Sequence, residues 1–104
     1  MSTPLSSQEL VRLSWLTELR RQGHRQCVGS SKPGGKVCAL MLLSEIAGCH
    51  PSLPWYHPDI AGAAGLSMHQ AGRVAAMNDG MTLTNPVSKT FAEIADVVEG
   101  WFKR

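Results

Sequence analysis

The sequence is poor in aromatic residues and has no long apolar run. Aromatic side chains make up 6% of its 104 residues. The longest uninterrupted apolar run, Val37 to Leu43, is far shorter than the roughly 20 residues that a membrane-spanning helix needs. The N-terminal stretch MSTPLSSQEL lacks a basic start followed by an apolar core. We therefore expect neither a membrane span nor a signal peptide, and we expect the chain in the cytoplasm.

Cysteine is also scarce, and its spacing suits no standard site. The three cysteines are Cys27, Cys38 and Cys49, and no two of them form a C-x-x-C pair. This pattern argues against a disulfide framework and against a standard zinc site. We expect reduced thiols, no bound metal and no cofactor.

The most apolar stretch of the chain is KVCALMLLSEIA, from Lys36 to Ala47, in which nine of twelve residues are apolar. Its leucines, alanine and methionine favour a helix over a strand, and Gly48 follows where a helix C-cap is expected. The absence of a polar face predicts that this helix is buried at the centre of the fold.

Three further helices are predicted from capping boxes, in which Ser or Thr is followed three residues later by Glu or Gln. These boxes are Ser6 to Glu9, Ser67 to Gln70 and Thr90 to Glu93. The first helix should bury a broad apolar stripe consisting of Leu10, Val11, Leu13, Trp15, Leu16 and Leu19. We predict a mainly α, single-domain fold over residues 1–104, with four helices, a short helical turn at residues 59–64 and room for a small β-ribbon at about residues 25–37.

The net charge of +2 is unevenly distributed along the sequence. Six basic residues and one acid lie between Arg12 and Lys36, whereas six acids and two basic residues lie between Glu45 and Glu99. The pattern predicts a basic end and an acidic end of the molecule. These basic residues form either a solvated surface or a docking face for nucleic acid or for an acidic protein patch.

Two loops flank the central helix. The loop HRQCVGSSKPGG, residues 24–35, lacks the first glycine of a P-loop, because Ser30 stands there, and Val37 replaces the hydroxyl residue that would hold magnesium. The loop at residues 49–65 carries Trp55 and Tyr56. Two such aromatic side chains either anchor the loop in the core or serve as a hot spot for a partner.

Two other function classes have some support. Cys38, in the first turn of the central helix beside Lys36, could be an activated thiol or simply a packed side chain. The candidate bases for such a thiol are His24, His50, His57 and His69. The segment TFAEIADVV, residues 90–98, resembles the opening helix of a helix-turn-helix. Because the sequence ends at Arg104, we expect no recognition helix after it.

The order of several short motifs resembles a group of small proteins encoded by tailed phages and prophages. That group shows W-x-x-x-L-R, Q-x-x-G, C-C-L-G, A-G-L, L-N-D and F-A-E-I-A-D-x-I-E in this order. The matching segments here are Trp15 to Arg20, Gln26 to Gly29, Val37 to Leu40, Ala64 to Leu66, Met77 to Asp79, and Phe91 to Glu99. The glycine of C-C-L-G is replaced by Leu40, so no role of that glycine carries over.

The resemblance implies a phage accessory protein, and small single-domain accessory proteins often act by occupying a host protein's surface. We therefore expect a non-enzymatic binding protein in the host cytosol, of the anti-defence or anti-CRISPR type, with a host protein complex as its partner. The alternatives are a small nucleic-acid-binding regulator and an enzyme that uses Cys38. The residues expected to contact the partner are Arg20, Arg21, Arg25, Lys32, Trp55 and Tyr56; none is expected to be catalytic.

Overall fold

In the residues that the computed structural model describes, five α-helices and one 3-10 turn build the fold. The structure describes residues 6–26, 37–50, 52–54, 56–79 and 89–102. The helices are α1 Ser7–Arg21, α2 Ala39–Ala47, α3 Pro58–Ala63, α4 Met68–Asp79 and α5 Phe91–Phe102, with the 3-10 turn at Gly23–Arg25. The predicted mainly α fold is confirmed. The helix count differs from the prediction, because the short turn expected at residues 59–64 forms a helix of its own, α3.

Helix α2 lies at the centre of the core, as the apolar stretch predicts. Ala39, Leu40, Leu42 and Leu43 are almost fully buried, and α2 packs against α1, α3 and α4, while α5 packs against α1 and α4. Each buried leucine contributes roughly 1.5–3 kcal/mol through removal of its side chain from water.

The start of α2 is later than predicted, because Cys38 has extended backbone angles and is the N-cap residue. The prediction that Cys38 lies in the first turn of the helix is therefore wrong. The end of the helix is as predicted: Gly48 adopts a left-handed conformation with φ of 72°, which residues with a Cβ adopt at a cost.

Helix α1 has two faces, and only one of them is buried. Trp15, Leu16 and Leu19 are buried, whereas Leu10 and Leu13 are 54% and 47% exposed. At 100° per residue, Leu10 falls on the opposite side of the helix from Leu19, so one stripe cannot contain both. The predicted burial of Leu10 and Leu13 is wrong.

Two of the three predicted capping boxes form with both reciprocal bonds, and the structure shows the Ser6 half of the third. Reciprocal bonds join Ser67 to Gln70, at 2.9 and 3.1 Å, and Thr90 to Glu93, at 2.9 and 3.2 Å. At α1, the Glu9 backbone N–H donates to Ser6 Oγ at 3.2 Å. The hydrogen bond from the Thr90 backbone N–H, supported by the Thr90 side chain, lowers the pKa of the Glu93 carboxyl.

The segment predicted to form a small β-ribbon is described only at its two ends. Gln26 and Val37 form an isolated parallel bridge, in which the Val37 N–H donates to the Arg25 carbonyl at 2.9 Å. Residues 27–36 lie outside the part of the chain that the structure describes. The bridge holds the two ends of this segment together next to the start of α2.

Candidate functional site

Arg20, the first of the predicted contact residues, is ion-paired to two acids of α5. Its Nη2 lies 2.9 Å from Asp96 Oδ1 and 3.5 Å from Glu99 Oε2. The hydrogen bond to Asp96 raises the pKa of Arg20. Because both carboxylates are well exposed, the pair adds little to stability.

Arg21 and Arg25 are also paired within the chain. Arg21 Nη2 lies 3.2 Å from Glu18 Oε1, one turn back on α1. Arg25, in the 3-10 turn, donates from Nη1 and Nη2 to the two carboxylate oxygens of Glu45 on α2, each at 3.2 Å. This two-point contact fixes the orientation of the Arg25 guanidinium.

These pairs show that the charge separation seen in the sequence is not kept in the fold. Arg20 and Arg25 come from the basic third of the chain, and their partners Asp96, Glu99 and Glu45 come from the acidic part. The predicted basic end and acidic end are therefore wrong for this part of the molecule. Helix α5 packs against α1 and places Asp96 and Glu99 beside Arg20.

The other predicted contact residues lie elsewhere. Tyr56, in the loop between α2 and α3, is 58% exposed, which leaves much of its ring accessible. Lys32 and Trp55 lie outside the described residues. The structure thus brings Arg20, Arg21 and Arg25 together around the C-terminal end of α1 and places Tyr56 on a different segment.

A row of exposed side chains leads from the N-terminal half of α1 to these arginines. We call it the outer face of α1, and it consists of Leu10, Leu13, Ser14, Thr17, Arg20 and Arg21. The Thr17 hydroxyl donates to the Leu13 carbonyl at 3.0 Å, so the hydroxyl is already satisfied within the helix. The apolar stripe of the sequence predicts the leucines of this face in the core, whereas a helical wheel of α1 separates them from Leu19.

A part-buried polar cluster at the starts of α2 and α5 joins four chain segments. The Gln26 side chain donates from Nε2 to Asn78 Oδ1 at 3.2 Å and to the Lys89 carbonyl at 2.6 Å. Its Oε1 accepts from the Phe91 N–H at 3.1 Å. Asn78, 1% exposed, accepts from the Ala39 N–H at 3.3 Å. Two side chains distant in sequence thereby satisfy the first N–H groups of α2 and α5.

This cluster gives a structural role to residues in the motifs that carry the phage resemblance. Gln26, Asn78 and Phe91 belong to three different motifs and are linked by hydrogen bonds. Trp15, of a fourth motif, donates from its buried Nε1 to the Ala39 carbonyl at 2.9 Å. In the described part of the chain, every buried side-chain nitrogen and oxygen has a partner. These motif residues therefore hold the fold together.

Three of the residues that could take part in thiol or metal chemistry, Cys38, His50 and His57, lie on different segments. Cys38 is a half-buried N-cap, whereas His50 follows the opposite end of α2 and lies 2.6 Å from Ser52 Oγ through Nδ1. His57 Nδ1 accepts from the Asp59 N–H at the start of α3. Within the described ranges, no three His, Cys, Asp or Glu side chains are grouped as metal ligands. None of the described helices is both long and apolar enough to cross a bilayer.

No family model, curated protein or solved structure matches the chain. The most distinctive surface in the described part is the outer face of α1, whose arginines are ion-paired with carboxylates of the same chain.

Proposed function

We propose that the chain is a phage or prophage accessory protein that binds a host protein complex in the bacterial cytoplasm, as an anti-defence inhibitor of the anti-CRISPR type. The phage origin rests on the order of sequence motifs. One structural observation supports a protein as the partner: Arg20, Arg21 and Arg25 are each paired with a carboxylate of the same chain.

This pairing favours a protein partner over nucleic acid for a physical reason. Binding to a phosphate backbone draws its affinity from cations that neutralise phosphates and release counterions. Arginines already surrounded by Glu18, Glu45, Asp96 and Glu99 present a weak net field to a polyanion. A protein interface instead uses arginine beside apolar side chains, with charges of both signs at the rim.

The proposal includes no catalytic step and no cofactor. Cys38 is placed at the N-cap of α2, and His50, one of the candidate bases, follows the far end of that helix. A nine-residue helix is roughly 14 Å long, so His50 lies beyond hydrogen-bond reach of the Cys38 thiol.

A pull-down from bacterial lysate with the purified chain as bait tests the proposal. We expect the wild-type chain to retain a defined host protein after nuclease treatment. The Arg20→Gln, Arg21→Gln and Arg25→Gln triple variant should retain at least about tenfold less, corresponding to about 1.4 kcal/mol. Its circular dichroism should be unchanged, because exposed ion pairs contribute only about 0.2–1 kcal/mol each.

The matched control is Arg73→Gln, which removes an exposed arginine on α4 that lies over the Trp101 ring at 5.2 Å. This variant should retain the host protein as the wild type does. Loss of the captured material on nuclease treatment, or on a modest rise in salt with a steep dependence, would contradict the proposal in favour of nucleic-acid binding.

A further inference from the structure

Two backbone hydrogen bonds each join the ends of a stretch of chain that starts and returns at one place. Val37 is bridged to Gln26 and donates its N–H to the Arg25 carbonyl at 2.9 Å. The Lys89 N–H donates to the Met77 carbonyl at 2.7 Å. We call the first contact the 26–37 junction and the second the 77–89 junction. Both junctions belong to the polar cluster at the starts of α2 and α5.

The Gln26 side chain connects the two junctions. Its Nε2 donates to the Lys89 carbonyl at 2.6 Å, and its Oε1 accepts from the Phe91 N–H at 3.1 Å. The same Nε2 lies 3.2 Å from Asn78 Oδ1, which accepts from the Ala39 N–H at 3.3 Å. One side chain of the 26–37 junction therefore contacts the 77–89 junction and the start of α5, and through Asn78 the start of α2.

Both helix starts depend on these distant side chains. At α2, the N-cap residue Cys38 makes no side-chain cap hydrogen bond, and the Ala39 N–H is bonded to Asn78 instead. At α5, the capping box of Thr90 and Glu93 satisfies the N–H groups of those two residues. The Phe91 N–H is bonded to Gln26. Fraying of either helix start is therefore linked to the cluster rather than to a local cap alone.

The junctions are held by polar contacts at intermediate depth. Gln26, Val37 and Lys89 are half-buried, whereas Leu43 of α2 and Val98 of α5 are fully buried. Regions with few buried apolar contacts open at a lower free energy than the core. Opening of either junction withdraws the Gln26 amide from its partners in the other, and the buried groups left unsatisfied make the remaining contacts less stable.

We propose that the Gln26 side chain makes the two junctions one conformational unit, which opens at a lower free energy than global unfolding and takes the first N–H groups of α2 and α5 with it. A ligand or partner that holds one junction in place therefore stabilises the other as well, because linked equilibria are reciprocal. This inference is independent of the proposed function, since it concerns the free chain.

Amide hydrogen exchange followed by NMR tests the inference in the wild type and in two variants. Gln26→Ala should speed exchange of the Ala39 N–H at least about tenfold, and Asn78→Ala should do the same for the Phe91 N–H. Neither substitution removes the acceptor of the amide that is read, so the effect must pass through the cluster. The Val98 amide, in the core of α5, should respond less in both variants.

Two control variants leave the cluster intact. Gln70→Ala removes an amide from the local capping box of α4, and Ile60→Val lowers stability from within α3, where Ile60 is fully buried. Both should leave exchange at Ala39 and Phe91 within about twofold of wild type, since neither changes the local opening.

The wild type alone gives a further readout, which does not depend on the folding of any variant. Protection of the Ala39 and Phe91 amides should be similar, should fall with the same dependence on urea, and should be lower than that of Val98. Protection equal to that of Val98 would show global opening and overturn the inference. Variants that each speed only the amide whose acceptor is removed would show independent fraying, which overturns it too.

Discussion

Trp15→Ala is expected to lower the free energy of unfolding by about 4 kcal/mol, the largest single effect in the described part of the chain. The Trp15 side chain is fully buried, and its indole N–H donates to the Ala39 carbonyl in the first turn of α2 at 2.9 Å. The variant removes a large apolar side chain and leaves a cavity between α1 and α2. Urea unfolding followed by circular dichroism measures the loss.

Two further variants of α1 separate the effect of the Trp15 hydrogen bond from that of its apolar packing and compare a buried with an exposed position. Trp15→Phe keeps most of the apolar surface but loses the hydrogen bond to Ala39, so we expect a loss of about 1–3 kcal/mol. Leu13→Ala truncates an exposed side chain two residues earlier and should change stability by at most about 0.5 kcal/mol. Equal losses for the Trp15→Ala and Leu13→Ala variants would contradict the assignment of the two faces of α1.

Asn78→Ala is expected to lower the free energy of unfolding by about 3 kcal/mol, although the side chain is polar. Asn78 Oδ1 accepts from the Ala39 N–H and from Gln26 Nε2. The truncation leaves these donors without their partner in a buried site, and each unsatisfied group costs about 1–3 kcal/mol. The same urea titration measures the change.

A double-mutant cycle with Gln26→Ala tests whether the two amides act as a unit. Because Gln26 also bridges Lys89 and Phe91 at the start of α5, the combined loss should fall short of the sum of the single losses by more than about 0.5 kcal/mol. Gln70→Ala is the control: it removes an amide from the exposed capping box of α4 and should cost about 1 kcal/mol or less. Additive losses for Gln26 and Asn78 would show that the cluster is not cooperative.

The sequence predicted those parts of the fold that depend on neighbouring residues. The capping boxes at Ser67 and Thr90 and the cap at Gly48 each involve residues within one helical turn, so their patterns are readable in a single sequence. The burial of α2 followed in the same way from its uninterrupted apolar composition.

The remaining features depend on contacts between distant residues. Arg20 meets Asp96, and Gln26 meets Asn78 and Phe91, only because α5 and α4 return to α1 and α2. No spacing rule in the sequence identifies such pairs. The basic residues of the first third are therefore paired with acids to a greater extent than the sequence alone indicates. The exposure of Leu10 was in principle predictable, because the helical period places it opposite Leu19.

The most direct test of the account compares Leu10→Asp with Leu19→Asp, the same substitution on opposite faces of α1. Circular dichroism and urea unfolding are measured for both. We expect Leu10→Asp to stay folded, with a stability within about 0.5 kcal/mol of wild type, because Leu10 is 54% exposed. Leu19→Asp buries a charge in the core and should unfold the chain. Equal stability of the two variants would contradict the account.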